Sequence, residues 1–308
     1  MAVSADRPAP SAWAAAAHEL HKRSLRGAKR ALRPLWMKRL DERNRDVGAP
    51  LLSAQGPVVS LTTYEPRWAS VHYTIESIGA GALRPSRLVL WIAPSVLELG
   101  TPEPLQRQIA RGLELRTCED LGPHKKYYPI VADGALDRAL VTADDDVLYW
   151  GDWLQRLAQA AALRPACIHA HRAHVMSFDA QGRFLPYHAW PACRSTVPSA
   201  LHFTTGVGGV WYPPAMQAAL HRAGDGFRAC CPRADDIWLN AVAFRAGILV
   251  RQTSAFSPLL FEIPGTRAHG LAQGNRESGG NDVQMNQTYT DEERARLFAL
   301  AKAEMTAR

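Results

Sequence analysis

Short apolar runs alternate with amphipathic stretches through the first half of the main body of this chain. Val58–Thr62 reads as a strand and Trp68–Ile78 as a helix. Arg87–Ala93 and Leu113–Thr117 read as further strands around a short helix over Leu105–Arg111, and Lys125–Ala132 has helical spacing. A fourth strand, Ala139–Thr142, precedes a helix over Trp153–Leu163. Strands alternating with helices make βαβ units, so the pattern predicts an α/β fold with a mostly parallel sheet. Right-handed crossovers then bring the strand ends near Thr62, Ala93, Thr117 and Asp144 to one rim.

Beyond residue 165 the order is less regular. Cys167–Ala170, Val175–Phe178, His202–Tyr212 and Ile248–Gln252 have strand composition, while Pro213–His221 and Asp235–Arg245 are helical, which implies a mixed sheet. Residues 264–286 are rich in Gly, Asn and polar side chains and read as a mobile loop near the site.

Ahead of the main body, helical spacing runs from Ser11 to Arg45, with a break expected near Pro34. Trp13, Leu20, Leu25, Leu32, Leu35, Trp36 and Leu40 recur along it, with Lys22, Arg23, Arg26, Lys29, Arg30 and Arg33 interleaved. Such a helix suits the surface of an anionic membrane. It equally suits packing on its own domain or on a partner chain, with the basic face in water. Gly48-Ala49-Pro50 and Gly56-Pro57 mark a linker. The expected organisation is a basic helical extension over residues 1–50 and one α/β domain over 51–308.

Charge sharpens that division. The chain carries +7, and residues 1–50 hold eleven Lys/Arg against five Asp/Glu, which leaves +1 for everything after them. A basic body for nucleic acid is therefore not indicated. Five scattered cysteines without a CxxC pair suggest neither a zinc ribbon nor a disulfide framework, and fit a reducing compartment. No stretch of 18 apolar residues occurs, and the N-terminus lacks the basic-then-apolar order of a secretory signal. The expected location is the cytoplasm, at the inner face of the cell membrane if the helix docks there. Oligomeric state is not legible.

Candidate chemistry centres on three consecutive carboxylates, Asp144-Asp145-Asp146, which interrupt the apolar segment from Ala139 to Trp150. Adjacent carboxylates repel one another and are costly to gather without a cation. Hard divalent ions such as Mg²⁺ or Mn²⁺ prefer such oxygens, and Mg²⁺ shares them with substrate phosphates. In an extended segment Asp144 and Asp146 point the same way; a turn would void that argument. Asp235 and Asp236 open a predicted helix, where an acid is favoured as a cap and by the helix dipole even without a further role. Thr205-Gly206-Val207-Gly208-Gly209 lacks the lysine and the strand–helix junction of a P-loop. His169, His171 and His174 form an HxHxxH group, which reads as core packing, an acceptor contact or a zinc site.

Val58–Tyr64, Thr74–Ile78, Asp120–Lys126, Val141–Asp146, Thr204–Val210 and Ala234–Leu239 follow one another in an order that resembles GT-A-fold glycosyltransferases. The likeness is greatest to family-2-like bacterial enzymes of surface-polysaccharide assembly and spans about residues 57–290. It implies a Rossmann-like, mostly parallel mixed sheet flanked by helices. It also implies that Asp144 and Asp146 resemble a DXD motif holding Mn²⁺ or Mg²⁺ on the diphosphate of a UDP- or GDP-linked sugar. Asp145 would contact the donor ribose or sugar. Thr62, Thr63 and Tyr64 would border the nucleotide, and Asp120 would accept from base or ribose. Arg67 would meet a phosphate or cap a helix. Lys125 and Lys126 would offset diphosphate charge, although a lysine pair is ordinarily just solvated. Either Asp235 or Asp236, with Asp236 favoured, would be the general base for an inverting attack by a glycan or lipid-linked acceptor. The Thr205–Gly209 run would form the floor under a sugar, or a bulged strand. His269 would be a third metal ligand, and Asn281-Asp282 a substrate contact. One departure is Ala93-Pro94-Ser95 where family-2 enzymes commonly carry an acid after the second strand. Two other classes share some of these features: a sugar-nucleotide pyrophosphorylase or other nucleotidyltransferase, disfavoured because Thr62–Trp68 contains no glycine, and an inactive glycan-binding module.

Overall fold

The computed structural model of the protein describes residues 6, 8, 10–134, 137–266 and 279–306. In chain order it begins with α1 (Ala12–Arg45), β1 (Val58–Thr62), α2 (Val71–Gly79), β2 (Arg87–Ile92), α3 (Pro94–Leu97), α4 (Glu103–Ala110) and β3 (Leu113–Thr117). Then come α5 (Tyr128–Ala132), β4 (Leu140–Ala143), β5 (Val147–Leu148), α6 (Trp153–Leu163), β6 (Ile168–Ala170), β7 (Ala173–Val175), β8 (His202–Thr204) and β9 (Val210–Tyr212). The rest is α7 (Pro214–Ala223), α8 (Phe227–Cys230), α9 (Asp235–Arg245), β10 (Val250–Gln252), β11 (Phe261–Glu262), α10 (Gly280–Thr288) and α11 (Asp291–Thr306).

Seven strands form the central sheet in the order β10-β6-β9-β4-β1-β2-β3. β1 pairs in parallel with both β2 and β4, and β2 with β3. β9 alone runs against its neighbours, antiparallel to β4 and β6, and β10 returns parallel to β6. This is the expected Rossmann-like, GT-A-type sheet. Its inner strands β1, β2 and β4 are buried on both faces because helices cover both. Val58, Val89 and Leu140 face the core with Ile130, Leu220 and Ile237 of α5, α7 and α9. Their neighbours Val59, Leu88 and Val141 face Ile75, Leu105 and Leu157 of α2, α4 and α6.

Several elements depart from the sequence pattern. α1 continues through Pro34 without the expected break. Proline forfeits one helical hydrogen bond, but just beyond it Trp36, Met37 and Leu40 pack with Tyr73, Leu148, Phe261 and Ile263, which holds the helix on course. The His202–Tyr212 run splits into β8 and β9 around Thr205–Gly209, where Gly206, Gly208 and Gly209 all have positive φ. The Lys125–Ala132 helix begins instead as a 3₁₀ turn over Gly122–Lys126. Part of the expected 264–286 loop is the helix α10, and residues 267–278 lie outside the described residues.

α1 is fastened to the body by a buried acid. Glu76 of α2 is 0% exposed. It accepts from Arg43 and Asn44 of α1, from Gln108 of α4 and from Arg111. Burial alone would raise its pKa, but hydrogen bonds from Arg111 and Gln108 and the charges of Arg111 and Arg43 pull it below the ordinary 4.5. A carboxyl depressed in the folded state contributes stability above its unfolded pKa and loses it as pH falls through the folded value. Glu76→Gln, which strands two arginines, is expected to cost about 3 kcal/mol in urea unfolding at pH 7, the lower end for a broken buried ion pair. The difference from wild type should shrink below pH 4.5. An unchanged midpoint at pH 7 would show that the arginines repair to water.

Candidate active site

A cavity of about 630 Å³ opens at the C-terminal ends of β1 and β4, where an open α/β sheet offers its crevice. One wall is the end of β1 with the turn after β4, from Thr62–Tyr64 to Asp144–Asp146. The 3₁₀ turn over Gly122–Lys126 also lines it, as do Asp235 and Asp236 at the start of α9. Thr62, Thr63, Tyr64, Arg67, Asp120, Lys125, Lys126, Asp144, Asp145, Asp146, Asp235 and Asp236 thus all line one space. His269 lies outside the described residues.

The acidic triplet sits in a bend between β4 and β5, so strand alternation does not decide which carboxylates act together. Their partners do. Asp145 is buried and turned inward: it accepts from Thr63 Oγ1 at 2.6 Å and from Arg67. Arg67 reaches Asp146 Oδ2 with its other nitrogen at 2.9 Å. Arg67 therefore clamps two acids and caps no helix. Asp144 is approached by Lys126 Nζ at 3.6 Å, and its backbone N–H donates to Tyr149 Oη. Burial and the neighbouring Asp144 charge push Asp146 up to about 7 despite Arg67. Burial, with Asp235 and Asp145 nearby, also raises Asp144, against the pull of Lys126.

The two lysines are not solvated, because both lie buried in the 3₁₀ turn. Lys125 donates to Asp120, which also accepts from the Gly122 backbone N–H at 3.2 Å. Lys126 bridges the two walls, with Asp144 on one side and Asp235 Oδ2 at 3.0 Å on the other. Burial works against its charge, but Asp235 and Asp144 outweigh that and hold the ammonium well above its ordinary pKa.

Asp236 has different company. It accepts from Tyr187 Oη at 3.2 Å and from the Ile237 N–H at 3.0 Å. Burial, then repulsion from Asp235, lifts it to about 7, against Lys126 and the two hydrogen bonds. Trp238 and Ile237 are buried and anchor α9.

The glycine run has a packing reason. Gly209 has φ +96°, and a Cβ there would lie 2.6 Å from Trp153 Cζ2. The same indole donates to Gly208 O at 2.6 Å. Gly209→Ala combines a strained backbone with a clash, so its melting temperature is expected to fall by about 5 °C or more, as a loss above 1 kcal/mol would give. An unshifted melt would mean that Trp153 yields. Thr205 and Val207 of the same run line the cavity.

The three histidines of the HxHxxH group diverge. His169 Nε2 pairs with Arg164 O, and His171 with Trp153 O and Thr253 Oγ1, while His174 borders the cavity. Among the described residues no group of three or more His, Cys, Asp or Glu is placed to hold a metal ion. Arg172, Tyr187, His188, Arg233 and Glu262 line the cavity without having been singled out by the sequence. Glu262 ends the two-residue strand β11 and the others come from connections between strands and helices; no spacing rule marks any of them.

Fold and site together describe an α/β protein with a mostly parallel, GT-A-like sheet and with carboxylates from two distant segments lining one cavity. No protein-family model matches the chain, and no curated protein matches it in sequence. Among solved structures, that of TarS 1-349 from S. aureus is similar over 80% of this chain and 70% of that one, with a TM-score of 0.45 and 11% identity. The fold assignment rests on strand order and direction. No helix among the described residues is long and apolar enough to cross a membrane.

Proposed function

We propose that the protein is an inverting glycosyltransferase that moves a sugar from a nucleoside-diphosphate donor to a hydroxyl of a surface glycan or lipid-linked acceptor. One observation carries this reading: the Asp144–Asp146 turn and Asp235-Asp236 line a single cavity, with Lys126 paired to Asp144 and to Asp235. The acceptor hydroxyl gives its proton to Asp236 as its oxygen bonds the anomeric carbon. The bond from that carbon to the diphosphate breaks, and the leaving group takes the electron pair. A carboxyl with a pKa near 7 is matched to this task. Asp235, drawn to Lys126, is the less suitable base.

The donor set suits a cation held by one or two carboxylates and completed by diphosphate oxygens, rather than an all-protein cage. Asp144 and Asp146 supply buried charge that lifts both their pKa values, which is the strain a divalent ion relieves. Bound there, Mn²⁺ or Mg²⁺ would neutralise charge on the departing diphosphate. Tyr64, Thr62, Asp120, Lys125 and Lys126 line the cavity; in this reading the first three border base and ribose and the two lysines offset phosphate charge.

The test is a thermal-shift series with UDP and GDP, with and without Mn²⁺, followed by donor-hydrolysis assays. A ligand bound at about 100 times its Kd stabilises by about 2.7 kcal/mol, so a metal-dependent rise of several degrees is expected. Asp144→Asn and Asp146→Asn should each lower metal-dependent hydrolysis by about 100-fold. Full metal-dependent turnover in both variants would overturn the ligand assignment, and no nucleotide binding would overturn the transferase reading.

A further inference from the structure

The wall around Asp236 carries a set of basic groups that the donor chemistry does not use. Arg172, His174, His188 and Arg233 all line the cavity. Arg172 Nη2 lies 3.4 Å from His174 Nε2. The His174 ring stacks at 6.3 Å on Tyr187, whose hydroxyl holds Asp236. His188 follows Tyr187 in the chain, and Arg233 precedes Asp236 by three residues. Arg172 and His174 are thus linked to the proposed base through Tyr187, and His188 and Arg233 are its near neighbours in the lining.

A neutral hydroxyl acceptor needs no such lining. An acceptor bearing an anionic group does, because arginine binds phosphate or carboxylate through paired charge-assisted hydrogen bonds. The basic groups would also keep that anion from being repelled by Asp235 and Asp236. We infer that this wall is the acceptor subsite and that the acceptor is an anionic saccharide, with Arg172 and Arg233 binding its phosphate or carboxylate beside the reacting hydroxyl. This rests on the transferase reading above.

The experiment uses the full chain with its donor end filled by nucleoside diphosphate and Mn²⁺. Glucose, glucose 6-phosphate and glucuronate are then titrated and followed by NMR. At least one anionic sugar is expected to bind about tenfold more tightly than glucose, an advantage that falls as salt rises. Which one wins tells phosphate from carboxylate. In the Arg172→Gln/Arg233→Gln variant the preference should vanish while nucleoside diphosphate affinity, read on the same samples, stays within about twofold. A wild type with no preference for an anion, or a preference that survives in the folded double variant, overturns the subsite and leaves the transferase reading standing. Failure of nucleoside diphosphate to bind at all overturns both.

Discussion

Asp236→Asn is expected to lower the rate of sugar transfer by about 10³-fold, within the range for loss of a positioned general base, while nucleoside diphosphate still binds. The amide keeps the shape of the carboxylate: its oxygen can still accept from the Ile237 N–H, and its NH2 can donate to Tyr187 Oη in place of the bond now accepted there, so the loss reports on proton transfer. The wild-type rate should rise with pH and level off above about 7, because only the deprotonated carboxylate can act as base. In Asp236→Asn that limb should disappear. Stability should move the other way. Asp236 has a folded pKa raised above its ordinary 3.8, so its contribution is full below that value and is lost as pH rises through about 7. The variant should therefore melt higher than wild type at pH 8, with the margin narrowing towards pH 4. A variant with wild-type turnover, or one that melts lower at pH 8, would remove Asp236 from the role of base.

Lys126→Met is expected to be the most damaging single change to stability in the cavity. Methionine has similar volume, but it leaves Asp144 and Asp235 facing each other with no cation between them. Removing one member of a buried ion pair costs about 3–5 kcal/mol, against a total stability of about 5–15 kcal/mol for a typical protein. Turnover should fall as well, since the two walls lose their bridge. Asp235→Asn combined with Lys126→Met should recover part of the stability, because one stranded charge is gone. A single variant that unfolds at the wild-type urea midpoint would show that the lysine is dispensable to the fold.

Much of the sheet could be read from the chain. β1, β3, α6 and α9 have the predicted bounds because each is a short apolar or amphipathic run with clear punctuation. The insertion of β9 between β4 and β6, against their direction, could not be read: neighbour choice is set by pairing across 40 to 72 residues of chain, not by local periodicity. Continuity through Pro34 likewise depends on Tyr73 and Phe261, residues that no local rule associates with α1.

The site was legible where residues of one chemistry cluster in sequence, as at Asp144–Asp146 and Asp235-Asp236. Their division of labour was not. Arg67 clamping Asp145 and Asp146, and Lys126 joining Asp144 to Asp235, are meetings of segments far apart in the chain. The lysine pair also defeated composition, because solvation is the usual fate of lysine and only an opposing buried acid makes its burial tolerable. Tyr187 sits in a connection between β7 and β8, where nothing distinguishes it until the chain folds it onto Asp236.

The anchoring of α1 on Glu76 bears on how the protein can be handled. A product trimmed to start at β1 would carry a sealed carboxylate stripped of Arg43 and Asn44, and should accumulate as inclusion bodies.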